Sequence, residues 1–200
     1  MKLKQIASLC KDSGRIILYD RTDSDGVVSQ WIGDGCSCYP LEGLPYMEMD
    51  HIVNVFELTE KQQEKMLLRH EKTPPNLNLS DTDKSEIHVE QGIFTVNYGG
   101  YTIAVLRTSS GMYYVQQKYI LPLILDLQGV EIYKRTDGHM DYFAVKFGLM
   151  LVGIVLPYVG FLDERFAESM ESIAHDIRAK VDRRKNMGVI QGGAEHEADL

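Results

Sequence analysis

Cys36-Ser-Cys38 places two thiols on one face of a strand, because residues two apart in extended chain point the same way. With His51 they could begin a metal site. No fourth ligand is evident and the spacing fits no zinc pattern, so half-buried strand cysteines are expected, with no metal and no cofactor. Asp20-Arg-Thr-Asp-Ser-Asp-Gly26 has the composition of a calcium loop but not its register. Counting back from Gly26 puts Arg21 at the first ligand position and Ile32 at the twelfth, where glutamate is needed, so a hairpin turn is expected. Gly33-Asp-Gly35 lacks the third glycine of a dinucleotide fingerprint and precedes a strand, which argues against a phosphate cradle. The histidines fall singly at 51, 70, 88, 139, 175 and 196. No Ser/His/Asp or Cys/His set has a local signature, so no catalytic residue is assigned and a non-enzymatic protein is expected.

The elements that carry these residues follow a repeat. Residues 3–40 read as an apolar-faced helix (Leu3, Ile6, Leu9), a break at Gly14, a strand from Arg15 to Asp20, a turn at Asp25-Gly26, a strand from Val27 to Ile32, a glycine turn, and a strand ending at Pro40. Residues 118–157 repeat the order: a helix from Tyr119 to Leu127, a break at Gly129, a strand from Val130 to Arg135, a turn at Asp137-Gly138, and two strands around Gly148 that stop at Pro157. Between them, His51 to Leu58 suits a strand by β-branched and aromatic content. Thr59 and Gln62 form a capping-box pattern that opens a helix to about Glu71. Pro74 to Ser85 is a polar loop, and strands follow over Ile87–Asn97, Tyr101–Arg107 and Met112–Gln116. A helix with a three-strand meander cannot bury its apolar faces alone, so the fold class is α+β, with repeated βαβββ units over about 2–41, 51–117 and 118–158 packed together.

From Phe161 the pattern is a single amphipathic helix to about residue 187. Its stripe includes Phe166, Met170, Ile173 and Ile177, with acids early and bases late to suit the helix dipole. Residues 188–200 read as a disordered tail.

Composition bounds the function. The chain of 200 residues has 44% hydrophobic and 25% charged residues, ordinary for a globular protein, and a formal net charge of -8. That argues against a wholly basic nucleic-acid coat while leaving room for a basic strip on an acidic body. Three cysteines and a start without an apolar signal segment point to a reducing, cytoplasmic setting. The longest apolar run, Leu149 to Val159, is 11 residues and contains Gly153 and Pro157, so a buried strand is expected and no membrane partner. Trp31 and the tyrosines at 98, 101, 113, 114, 133 and 142 fall in strand patterns and suit core or cross-strand packing. Ile17, Tyr19, Ile132, Val145, Ile154 and Leu156 are expected in the core.

The stretch from Tyr114 to Leu127, followed by Val130-Glu-Ile-Tyr-Lys-Arg, Tyr142-Phe-Ala-Val-Lys-Phe-Gly and Leu151-Val-Gly-Ile-Val-Leu-Pro-Tyr, resembles the closing half of a DNA sliding-clamp domain. The resemblance covers roughly residues 2–158 and rests on element order and spacing. Three units make one and a half clamp domains, the first lacks its leading strand, and the terminal helix has no counterpart, so the resemblance implies the domain architecture and not the ring. A compact variant of this kind would suit a phage or mobile element. The resemblance further implies helices that track duplex phosphates without reading bases. The candidate DNA-binding residues are Lys2, Lys4 and Lys11 on the first helix and Lys61, Lys65 and Arg69, with Lys72, on the second; the third begins at Lys118. Phe166, Met170, Ile173 and Ile177 are the candidate partner or oligomer surface. The expected function is a DNA-associated, replication-related scaffold, with self-association or replication proteins as partners. The alternative is a protein-interaction or structural module of the same fold without DNA binding, and a third reading is an enzyme with dispersed catalytic residues.

Overall fold

The computed structural model describes residues 3–74, 76–124, 129–138 and 140–159 and scattered positions between 169 and 183, with the backbone alone over 91–94. The chain is mixed α+β with mostly antiparallel sheets. It opens with α1 (Leu3–Ser13), whose Ile6, Ala7, Leu9 and Cys10 form one buried stripe. Burial of Ile6 and Leu9 contributes about 1.5–3 kcal/mol each. Ser13 Oγ donates to the Cys10 carbonyl at 3.0 Å, and Gly14, at φ 67°, turns the chain into β1 (Arg15–Thr22). The Asp-rich segment closes the turn to β2 (Val28–Gly33): Asp23 Oδ1 accepts the amides of Asp25 and Val27 at 2.9 and 2.8 Å. Strand β3 (Ser37–Pro40) completes the first meander.

The middle of the chain departs from the expected order. His51 to Leu58 is not a strand: α2 (Met49–Val55) occupies it, capped by Glu48 and ended by Glu57 at φ 52°. Helical spacing puts Ile52 and Phe56 on one face, and both are buried. Strand β3 is flanked by β2 and by the strand over Met150–Val155, so it has no free edge, and packing on the sheet face overrides β-propensity. The capping box of Thr59 and Gln62 forms as expected, but α3 (Glu60–Gln63) lasts four residues instead of reaching Glu71. It buries nothing, so no core contact rewards its extension. Leu67–Lys72 instead forms β4 along the free edge of β1.

Strands β5 (Ile87–His88), β6 (Glu90–Tyr98), β7 (Tyr101–Thr108) and β8 (Gly111–Gln116) follow the polar loop. Then come α4 (Gln117–Ile124), β9 (Val130–Asp137), β10 (Met140–Phe147) and β11 (Met150–Val155), in the expected order. The eight-stranded sheet runs β4-β1-β2-β3-β11-β10-β9-β5, and the first and last meanders join where Cys38 faces Ile154. A single continuous antiparallel system does not result. Strand β4 lies parallel to β1, and β6-β7-β8 form a separate sheet.

Alternation along the strands sorts the core. Ile16, Leu18, Ile32, Tyr39, Ile132, Phe143, Val145 and Val155 face α1, α2 and α4. Their neighbours Tyr19, Trp31, Cys38, Tyr142, Ala144 and Ile154 face the other way and are covered by Leu77 and Leu79 of the polar loop. Tyr19, Ile132, Val145 and Ile154 are buried as expected, whereas Ile17 and Leu156 are half-buried. On β1 the deeper pair is Ile16 and Leu18, on the helix side.

The loop is held by charge. Glu86 accepts from Arg135 Nε and Nη2 at 3.1 and 2.6 Å and from Lys146 Nζ at 3.2 Å, and Arg135 also donates to the carbonyls of Asn78 and Asp81. The smaller sheet stacks against α4 through Leu106 and Val115. Its other face, with Ile103, Val105 and Tyr114, receives Met170.

Candidate nucleic-acid interface

Helices α1 and α4 pack against each other on one face of the large sheet. α4 is seated closely: a Cβ at Gly153 of β11 would lie 2.6 Å from Leu123 Cδ1, so the Leu123 side chain would have to shift to admit one. Tyr39 adds a pin from the sheet, its hydroxyl donating to the Tyr119 carbonyl at 2.7 Å. With Tyr119, Ile120, Pro122 and Leu123 buried, the only formal charge on α4 is Lys118, half-buried with Nζ 4.8 Å above the Tyr119 ring. On α1 the charged residues are exposed Lys4, half-buried Lys11 and exposed Asp12. Three lysines therefore stand against one aspartate on the two paired helices, in a chain whose net charge is -8.

The remaining sequence candidates separate from this pair. Lys2 lies outside the described residues. Lys61 on α3 and Lys65 just beyond it are exposed, but Glu60 and Glu64 alternate with them and dilute the field. Arg69 and Lys72 are not on a helix at all. Both belong to the edge strand β4, where Arg69 is paired with Glu71 at 3.1 Å. The described positions between 169 and 183 are helical; Met170 packs on the smaller sheet, Ile177 is half-buried and Ile173 is 44% exposed. Phe166 and most of the span 161–187, like the tail 188–200, lie outside the described residues.

A groove of about 590 Å³ runs between α1 and the end of α2, floored by Leu3, Ala7, Val55 and Phe56 and rimmed by Lys4, Lys11 and Glu57. The two lysines thus border an apolar channel as well as the helix face. Neither the pairing of α1 with α4 nor this channel is visible in the sequence: the first depends on β3 meeting β11, and the second on α2 being a helix packed beside α1.

The chemically suggestive residues are structural. Asp34 is buried in the β2–β3 turn, and its Oδ1 accepts the amides of Cys36 and Ser37 at 2.9 and 3.0 Å. Burial and the Asp34 charge push the Cys10 thiol up to about 12 and the Cys38 thiol higher still, so neither supplies a thiolate near neutral pH. Cys36 is exposed. His51 is not beside the cysteines: its Nδ1 accepts the Glu48 amide at 3.0 Å, capping α2. Among the described residues no group of three or more His, Cys, Asp and Glu side chains is placed to hold a metal ion, and no helix is long and apolar enough to cross a membrane.

Two polar clusters escaped sequence reading. His70 lies between Asp20 (Nε2 to Oδ2, 3.0 Å) and Glu48 (Nδ1 to Oε2, 3.4 Å), joining three separate segments. Lys134 meets Asp141 at 3.2 Å beneath the Tyr113 ring, and Asp141 also accepts from Tyr113 and Thr136. The available signal was a run of charges, Lys134-Arg135, inside a strand otherwise patterned for burial. Comparison with protein-family models, curated protein sequences and solved structures gives no match to this chain.

Proposed function

We propose that the chain is a non-enzymatic scaffold that docks duplex DNA on its α1/α4 face through phosphate contacts, using the architecture that resembles a sliding-clamp domain. The observation that carries this reading is the excess of lysine on the two paired helices against the acidic charge of the whole. Phosphate tracking needs a local positive strip on a helical face and no base-reading groups, and Lys4 and Lys11 on α1 with Lys118 on α4 are the cations available for it. The two α-β-β-β segments joined at β3 and β11 supply the rigid platform. Replication is the process such a scaffold would serve, with further copies or replication proteins as partners.

Filter binding of labelled duplex DNA at about 50 mM salt, where counterion release makes phosphate contacts strong, tests it. The unmodified protein should retain duplexes of unrelated sequence equally. Lys4→Glu, Lys11→Glu and Lys118→Glu together should weaken retention and flatten the salt dependence by about one unit of slope per lost contact. Lys61→Glu with Lys65→Glu should have a smaller effect, since acids already neutralise that segment. Failure of the unmodified protein to retain DNA refutes the reading. The α1/α2 channel then favours the alternative, a module that takes an amphipathic acidic segment of another protein between Lys4 and Lys11.

A further inference from the structure

At one end of the large sheet lie the β1–β2 turn, the chain leaving β3 and the β10–β11 turn, and all three expose large apolar side chains. Strand register brings them together. Thr22 faces Val28 at the first turn, Trp31 faces Pro40 where β3 ends, and Phe147 faces Met150 at the last turn. Strands β2 and β11 flank β3, so the turns stand two strand spacings apart, roughly 10 Å. Val27, Val28, Leu44, Phe147, Leu149 and Met150 are all exposed there, Leu149 to 81% and Val27 to 61%. Turns are ordinarily built from Gly, Pro, Asn, Asp and Ser, so six large apolar side chains at one end of a sheet are a surplus that the fold does not use.

Between these turns lies a cleft of about 320 Å³, with Val28 and Leu44 on its rim and Trp31, Leu79 and Leu151 in its lining. Its surroundings are acidic. Asp23 and Asp25 are exposed in the turn beside Val27, Glu42 is exposed two residues from Leu44, and Asp81 lines the cleft. The base that lines it, Arg21, already donates from Nη2 to Ser80 Oγ at 3.0 Å.

We propose that this end of the sheet docks a basic segment of another protein, with one apolar side chain entering the cleft and flanking Lys or Arg meeting Asp23, Asp25, Glu42 and Asp81. Charge selects that occupant. A second copy seated on the same patch would set acid against acid, in a chain whose net charge is -8. An anionic membrane surface or a nucleic acid meets the same repulsion. A cationic segment gains from these carboxylates while its apolar residue covers the exposed valines, Leu44 and Leu149. The inference stands apart from DNA binding at α1 and α4, since none of these residues belongs to either helix.

Selection from a random-peptide display library on the full chain, followed by titration of an enriched peptide that lacks tryptophan, tests the proposal. Selected peptides should carry an aromatic or branched apolar residue flanked by Lys or Arg. Binding should shift the emission of Trp31, the only tryptophan in the chain, which lines the cleft. Leu149→Ser with Met150→Ser should weaken binding about tenfold or more, as loss of a central apolar contact does. Asp25→Lys with Glu42→Lys should weaken it as well and flatten its salt dependence. All four positions are exposed, so both variants should keep the circular dichroism of the unmodified protein. A selection that enriches nothing or enriches acidic peptides overturns the proposal, as does an affinity unchanged in either variant. Dimerisation that Leu149→Ser with Met150→Ser abolishes also overturns it, because the occupant is then a second copy. The charge-reversal pair decides the matter if the apolar pair is unfolded.

Discussion

Replacing Glu86 with Gln isolates the electrostatic anchor of the loop face. The Arg135 side chain is 0% exposed and that of Lys146 is 6% exposed, and the carboxylate they share is 17% exposed. Gln keeps the shape and one carbonyl oxygen but removes the charge, leaving two cations beneath the loop with neutral carbonyls alone to hold Arg135. Removing one partner of a buried pair costs about 3–5 kcal/mol, and the partial exposure of Glu86 favours the lower end, about 3 kcal/mol. For a chain of this length that lowers Tm by roughly 6–12 °C. Urea unfolding followed by circular dichroism gives the free energy, and a cycle with Lys146→Met separates the charge from the packing. Relieving the cation excess should make the double variant less destabilised than the sum of the two single ones. A loss under about 1 kcal/mol for Glu86→Gln, smaller than a typical buried hydrogen bond, would refute the view that this carboxylate fastens residues 77–86 over the sheet.

Two further outcomes follow from local geometry. Glu57 ends α2 at φ 52°, a conformation that costs an L-residue about 1–2 kcal/mol, so Glu57→Gly should stabilise by about 0.5–1 kcal/mol after the entropy of the new glycine is subtracted, measurable by thermal melting. Acid stability supplies the other. Burial alone would raise the Asp141 carboxyl, but hydrogen bonds from Thr136, Tyr113 and Lys134 outweigh it and hold the group below its ordinary value. A carboxyl depressed in the folded state contributes stability above its unfolded pKa, about 4, and loses it as pH falls through the folded value. Unfolding midpoints between pH 6 and 2 should therefore fall less steeply for Asp141→Asn than for the unmodified protein; parallel curves would show that the cluster does not couple to folding.

The two outer meanders were legible because each of their elements carries its own local instruction. Leu3, Ile6 and Leu9 mark the first helix, Gly14 and Gly129 mark the breaks before the following strands, and the continuous apolar runs over 16–19 and 142–145 mark strands whatever lies beside them. The failures cluster in 51–72, where local instruction was weak. Ile52, Val53 and Phe56 satisfy a strand by composition and a helix by spacing, and the choice fell to the helix because β3 had no free edge beside it. The Leu67–Lys72 segment became a strand because β1 did have one.

The functional candidates divide along the same line. The resemblance made Lys4 and Lys11 candidates, and their helix is marked by its own apolar stripe. That α1 and α4 lie together, that Arg69 sits on an edge strand beside Glu71, and that His70, Asp20 and Glu48 converge were decided by strand pairing between residues far apart in sequence. Helical and strand periodicities are properties of neighbours along the chain and can be read there. Which faces meet is set by which edges pair and which apolar surfaces remain to be covered, and that exists only once the whole chain has folded.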